Sequence, residues 1–133
     1  MTRRYLLDTN TVIDMLKARR GVQKQIVEHA PQNCFISDIT ISELMTGYYL
    51  SGNPVEKKDI DFVKENFTLL RVSPEVLDKF AEYRAQLHRK GCPIPALDLM
   101  ILATAAVNEL IPVSHDSHLR AIPELNCEDW TDR

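Results

Sequence analysis

The sequence predicts an α/β domain of three layers, α/β/α, built on a mostly parallel sheet of four or five strands with helices on both faces. Two features carry this expectation: short apolar runs alternate with segments of helical period, and the stretch 97–107 is apolar on nearly every side, as in a helix at the centre of a core. With 133 residues the chain suits one domain, 1–133, which is large enough to bury a single core. No repeat, linker or low-complexity tract divides it.

The elements follow in order. Tyr5, Leu6 and Leu7 form a first strand ending at Asp8, and Val12, Ile13 and Leu16 mark the helix after it. Val22, Ile26, Val27 and Ala30 mark a second helix, broken by Pro31 and Asn33, before a strand at Cys34–Ser37. Ile41, Leu44, Met45 and Tyr48 form one stripe of a helix that stops near Ser51 and Gly52, and a further helix is expected over 55–67. A third strand is expected at 69–72. Ser73, Pro74 and Glu75 then start a long helix with Val76, Leu77, Phe80, Tyr83 and Leu87 inward, stopped by Gly91. After the apolar helix come a fourth strand at 111–114 and a weak fifth at 126–130. Crossovers in such a sheet are expected to be right-handed.

Composition narrows the class. At 44% hydrophobic and 26% charged residues, the chain reads as globular. No apolar run reaches the roughly 20 residues of a membrane span, and the N-terminus has no signal-peptide core, so a cytoplasmic protein is expected. Cys34, Cys92 and Cys127 are odd in number and widely spaced, which argues for reduced, mostly buried thiols and against a structural zinc site. The net charge of -3 is unfavourable for a nucleic-acid partner. Local basic groups temper it: Arg3 and Arg4; Lys17, Arg19, Arg20 and Lys24; and Arg84, His88, Arg89 and Lys90. Each group is read first as a solvated face.

The chemistry lies in the acids. In a parallel sheet the carboxyl ends of the strands share one edge, where ligands bind. Asp8 and Asp116 follow strands, Glu43 lies early in the helix after the second strand, and Asp98 lies in the first turn of a helix returning to that edge. Like charges so gathered need a compensating cation, and Mg2+, with Mn2+ as the alternative, suits carboxylate oxygens. Such a site could activate water against a phosphodiester. One by one, however, the acids have ordinary explanations: Asp8 or Thr9 as a cap, Asp98 as a partner of the helix dipole, and Glu43 as a solvated residue. Asp38 and Glu75 meet the same edge criterion. Gly47, one turn beyond Glu43, suggests a close approach there. Asn10 and Ser114 suit either capping and strand-end bonding or the orientation of a carboxylate or bound water. His115 and His118 lack the companions of a zinc site and are read as surface or RNA-facing groups.

A set of four segments resembles the PIN-domain ribonucleases, in particular the VapC-like toxins of type II toxin–antitoxin systems. Y-L-L-D-T-N-T-V-I-D at 5–14 is similar to the family's first motif, I-T-I-S-E-L-M-T-G at 39–47 to the second, and P-A-L-D-L-M-I-L-A-T-A at 95–105 to the third. P-V-S-H-D-S-H-L-R-A-I-P-E-L at 112–125 is similar to the last. The resemblance spans essentially the whole chain in order. It departs at Leu119, where Phe is usual, and at I-P-E-L, where I-P-G-L is common; His118 stands where some relatives carry an acid.

The resemblance implies that Asp8, Glu43, Asp98 and Asp116 are the metal-binding and catalytic acids. Thr9 and Asn10 are the polar pair of the first motif, and Ser114 stands where the family has Thr or Ser. It implies a Mg2+- or Mn2+-dependent endoribonuclease that inhibits translation and growth, leaving a 5′ phosphate and a 3′ hydroxyl. Its partners would be RNA, a second copy in a homodimer, and an antitoxin occluding the crevice. Met45, Tyr48, Tyr49 and Leu50 offer apolar surface for a partner, although core packing is expected to take most of it. Two other classes stay open. One is phosphoryl transfer through an aspartyl phosphate, disfavoured because Asn10 stands where a D-x-D motif needs an acid; the other is a module that binds antitoxin or RNA without cleaving.

Overall fold

The chain is described here by a computed structural model covering residues 2–51 and 55–132. Its centre is a sheet of four short strands, β1 (Tyr5–Leu7), β2 (Cys34–Ser37), β3 (Thr68–Leu70) and β4 (Ile111–Val113), in the order β3-β2-β1-β4. Every ladder among them is parallel. Among the described residues six α-helices connect and cover them: α1 (Thr9–Leu16), α2 (Val22–His29), α3 (Asp38–Ser51), α4 (Lys57–Asn66), α5 (Pro74–Arg89) and α6 (Ala96–Val107). Gly52, read as part of the stop of α3, lies outside the described residues.

Strand alternation divides the core in two. Tyr5, Leu7, Cys34, Ile36 and Val113 face one side, where they pack with Val12 and Met15 of α1, Val22 and Ile26 of α2, Ile41 and Leu44 of α3, and Ile60 and Val63 of α4. Leu6 faces the other side, with Val76, Tyr83 and Leu87 of α5 and Leu99, Ile101, Leu102, Ala103 and Ala105 of α6. The expected α/β/α layering is the one observed. Among the described residues no helix is long and apolar enough to cross a membrane.

Several local expectations need correction. The third strand is Thr68–Leu70 rather than 69–72, because its ladder with β2 runs from Phe35↔Thr68 to Ser37↔Leu70 and ends with β2. The helix expected over 55–67 is confined to Lys57–Asn66, started by a reciprocal cap between Glu56 and Asp59. The fifth strand is absent among the described residues. Residue Glu128 makes a single parallel bridge to Val113, bonding Pro112 O and Ser114 N. Pro112 has no N–H to offer on that outer edge, so a longer ladder would lack a donor. The tail then turns inward: Trp130 stacks on His29 at 4.1 Å and meets Tyr5 edge-on at 4.9 Å.

Leu77 is 52% exposed, lying off the Val76–Tyr83–Leu87 face, and Leu97 is also exposed at the start of α6. Cys92 is exposed; only Cys34 is fully buried. Tyr48, Tyr49 and Leu50 stand out from the last turn of α3 rather than in the core. Among the described residues nothing from elsewhere in the fold lies within 4 Å of where a Gly47 Cβ would stand, so the close approach expected there is not made by them.

Candidate active site

Asp8 is where strand geometry becomes helix geometry. Its backbone N–H still belongs to the sheet, donating to Val113 O at 3.1 Å, while its side chain caps α1: Oδ1 accepts from Thr11 N at 2.8 Å. The capping explanation is therefore correct, and it is incomplete. Oδ2 accepts from the Ser114 hydroxyl at 2.5 Å, across 106 positions of sequence. Only 5% of Asp8 is exposed. Burial pushes its pKa up, opposed by the bonds from Ser114 and Thr11 and by the nearby His115.

Ser114 also joins the next acid to the first. Its Oγ accepts the backbone N–H of Asp116 at 2.9 Å, so one fully buried hydroxyl fixes Asp8 and Asp116 relative to each other. Asp116 in turn caps the short 3-10 turn Ser117–Arg120, its Oδ1 accepting from His118 N at 2.9 Å. This turn swings the His118 ring back over the acids. Its Nδ1 lies 3.3 Å from Asp98 Oδ2 and 3.5 Å from Asp116 Oδ1.

Asp98, in the first turn of α6, is half-buried. Its pKa is raised by burial and next by the charge of Asp116; His118 opposes this and Asp8 adds to it. Glu43 sits on α3 with Oε1 accepting from the Thr9 hydroxyl at 2.5 Å, and Thr9 also contacts Thr40 Oγ1 at 3.2 Å. Its pKa is raised by burial, then by the charges of Asp98 and Asp8. Glu43 thus turns inward despite lying off the apolar stripe of α3.

All four expected acids come together as one electrostatically coupled group. Asp38 and Glu75, which met the same edge criterion, are exposed and take no part in it. Thr9 and Ser114 touch acids directly; Asn10 is exposed on α1 and bonds none of the four. His118 is closer to the acids than a surface reading implies. With Asp98 and Asp116 it offers three ligand atoms within 4.8 Å of one another. An apolar groove of about 620 Å³ lies apart, lined by Met15, Leu16, Ile26, Val27, Phe62 and Phe67 among others and by none of the acids.

One residue was missed by sequence reasoning. Asp14 is only 2% exposed on α1, with Arg19, Arg20 and His115 around it. The available signal was an acid next to Met15 on the buried side of a short helix, followed by two arginines.

The donor set fits a hard divalent cation: carboxylates in a partly desolvated crevice raise one another's proton affinity, and a cation there would relieve that repulsion. A parallel α/β sheet whose carboxyl edge carries such an acid cluster defines the class. Comparison with known proteins gives the family. Residues 5–125 match the model of the PIN domain. The chain is 30% identical to the ribonuclease VapC2 of Haemophilus influenzae over 131 residues, 96% of this chain and 98% of that protein. It is 29% identical, with the same coverage, to the tRNA(fMet)-specific endonuclease VapC of Salmonella typhimurium. Among solved structures, VapBC2 of Rickettsia felis bound to a promoter DNA fragment superposes with a TM-score of 0.85 at 25% identity, covering 95% of this chain and 98% of that one. DNA-bound VapBC of Salmonella typhimurium gives 0.83 at 27%, covering 96% and 98%. The chain belongs to the PIN-domain family, and its relatives in it are VapC ribonucleases.

Proposed function

We propose that this single-domain protein is a cytoplasmic, Mg2+- or Mn2+-dependent endoribonuclease, the toxin of a type II toxin–antitoxin pair, that arrests translation and growth by cutting RNA. The observation that carries the reading is the coupling of Asp8, Glu43, Asp98 and Asp116 at one sheet edge, with three raised pKa values of common cause. Relatives named as ribonucleases support the substrate class.

In this mechanism Asp8, Asp98 and Asp116 would hold the cation, with His118 beside the last two. Ser114 keeps Asp8 and Asp116 at fixed separation. When bound, such an ion would supply Lewis-acid charge for the phosphodiester and make water more acidic. Glu43 completes the acid set: Thr9 steadies Oε1, and Oε2 is left to accept a proton from the attacking water, a role its raised pKa favours. Asn10, exposed on the first turn of α1, is assigned to substrate contact in this reading.

The likeness to VapBC complexes supports an antitoxin as the partner, and a homodimer is taken as the working form. Exposed Tyr49 and Leu50 supply apolar contact area for such association. The test is cleavage of total cellular RNA by purified protein, with and without EDTA, beside Asp98→Asn. Cleavage abolished by EDTA and by the substitution, with the circular dichroism of the variant unchanged, is expected. Undiminished cleavage by Asp98→Asn would overturn the assignment, and RNA binding without cleavage would leave a non-cleaving module.

A further inference from the structure

An acidic crevice on a chain of net charge -3 must still receive a polyanion, so the local basic groups matter more than the total. One of them is tied to the crevice wall. Asp14 Oδ1 lies 2.7 Å from Arg20 Nη1 and 3.7 Å from Arg19 Nε. Its other oxygen, Oδ2, is buried without a hydrogen-bond partner among the described residues, and His115 Nε2 is 3.7 Å away. His115 stands between Ser114 and Asp116, so Asp14 connects the loop after α1 to the loop that carries Asp116 and, through Ser114, holds Asp8.

The loop after α1 is held in a conformation that side chains seldom adopt. Ala18 and Arg20 have φ of 52° and 56°, and Gly21 follows at 71°. Backbone bonds fix it: Arg19 N donates to Asp14 O at 2.8 Å and Asp132 N to Arg20 O at 2.7 Å. This geometry folds both guanidinium groups back onto Asp14 yet leaves half of each arginine side chain exposed, 50% for Arg19 and 51% for Arg20. A guanidinium has five N–H donors, and contact with one carboxylate oxygen leaves most of them free. A buried acid with an orphan oxygen and a strained loop is a poor way to gain stability. It is a good way to fix where two cations point.

We propose that Arg19 and Arg20, positioned by Asp14, form a phosphate-contacting subsite for the RNA backbone on the Asp8–Asp116 side of the crevice. The inference rests on the ribonuclease reading above. Its test uses the full chain carrying Asp98→Asn, so that RNA is not cut, titrated with a short labelled single-stranded RNA over a range of salt concentrations. Each phosphate contact to a single strand contributes about 0.7 to the slope of log affinity against log salt. Arg19→Ala with Arg20→Ala is expected to reduce that slope by about 1.4, and each single variant by about 0.7. The single variants decide the matter if the double variant does not fold.

Asp14→Asn gives an independent sign. Removing a negative charge should tighten RNA binding on charge alone, whereas loss of the arginine anchor should weaken it; weaker binding is expected. An unchanged salt slope in the arginine variants, with only the thermal midpoint lowered, reduces the cluster to a structural lock and overturns the proposal. If the Asp98→Asn protein binds no RNA and the unsubstituted protein cuts none, the ribonuclease reading fails first and takes this one with it.

Discussion

Ser114→Ala tests the geometry of the crevice more sharply than replacing an acid. The hydroxyl is fully buried, donates to Asp8 Oδ2 at 2.5 Å and accepts from Asp116 N at 2.9 Å. A hydrogen bond to a charged group contributes about 1.5–3 kcal/mol and an ordinary one about 0.5–1.5, so losing both should cost about 2–4 kcal/mol. For a domain of this size that is a fall in Tm of about 8–16 °C. Asp8 can escape part of the penalty by binding a proton, since burial already raises its pKa. The loss should therefore be smaller at pH 5 than at pH 7.5. Urea and thermal unfolding in EDTA at both pH values measure this, and Ser114→Thr, which keeps the hydroxyl, should recover most of it. RNA cleavage by Ser114→Ala should fall as well, because Asp8 and Asp116 lose their common anchor. A variant as stable as the parent at pH 7.5, cleaving at the parent's rate, would refute the claim that this hydroxyl organises the site.

The raised pKa values of Asp8, Glu43 and Asp98 mean that the native state holds protons the unfolded chain has lost. Their contribution to stability is fully present below the ordinary carboxylate range and is lost as pH rises through the raised values. Metal-free protein should melt higher at pH 5 than at pH 7.5, and Mg2+ or Mn2+ should restore more at pH 7.5; a flat or reversed profile in EDTA contradicts this. Gly21→Ala should lower Tm by about 4–8 °C, from roughly 1–2 kcal/mol of left-handed backbone strain, because φ is +71° and its Cβ would collide with Asp132. Gly47→Ala, in a helix with open space beside it, should instead raise stability by about 0.5–1 kcal/mol. Of the three thiols, exposed Cys92 should react first with a disulfide reagent, while Cys34 and Cys127, pushed up to about 11 by burial, should lag until the protein is unfolded. Equal rates for all three would contradict the burial described.

The main lines of the fold were legible because three-residue strands such as Tyr5–Leu7, buried on both faces, read as apolar punctuation between helices. What periodicity could not supply was pairing. The end of β3 is set by its ladder with β2, and the absence of a fifth strand depends on which way the nitrogen of Pro112 points. Leu77 was misjudged because hydrophobicity was taken for orientation; one residue along α5 from Val76 turns it out to solvent. For the site, topology explained how Asp8 and Asp116 could meet, and Asp38 and Glu75 passed that test equally well. Resemblance distinguished them, whereas the inward turn of Glu43 toward Thr9 and the return of His118 over Asp98 depend on side-chain geometry. Asp14 was legible in principle, as a charge on a buried helix face, but its partners lie five, six and about a hundred positions away.

The bond between Ser114 and Asp8 also has a meaning in time. The two residues are 106 positions apart, so at translation rates of about 5–20 residues per second, Asp8 is made roughly 5–20 s before the hydroxyl that holds it. β1 likewise waits for β4, its neighbour in the sheet. Until then the N-terminal acid has no fixed place relative to Asp116, which does not yet exist. The four acids can therefore gather into one crevice only after nearly all of the 133 residues have been synthesised.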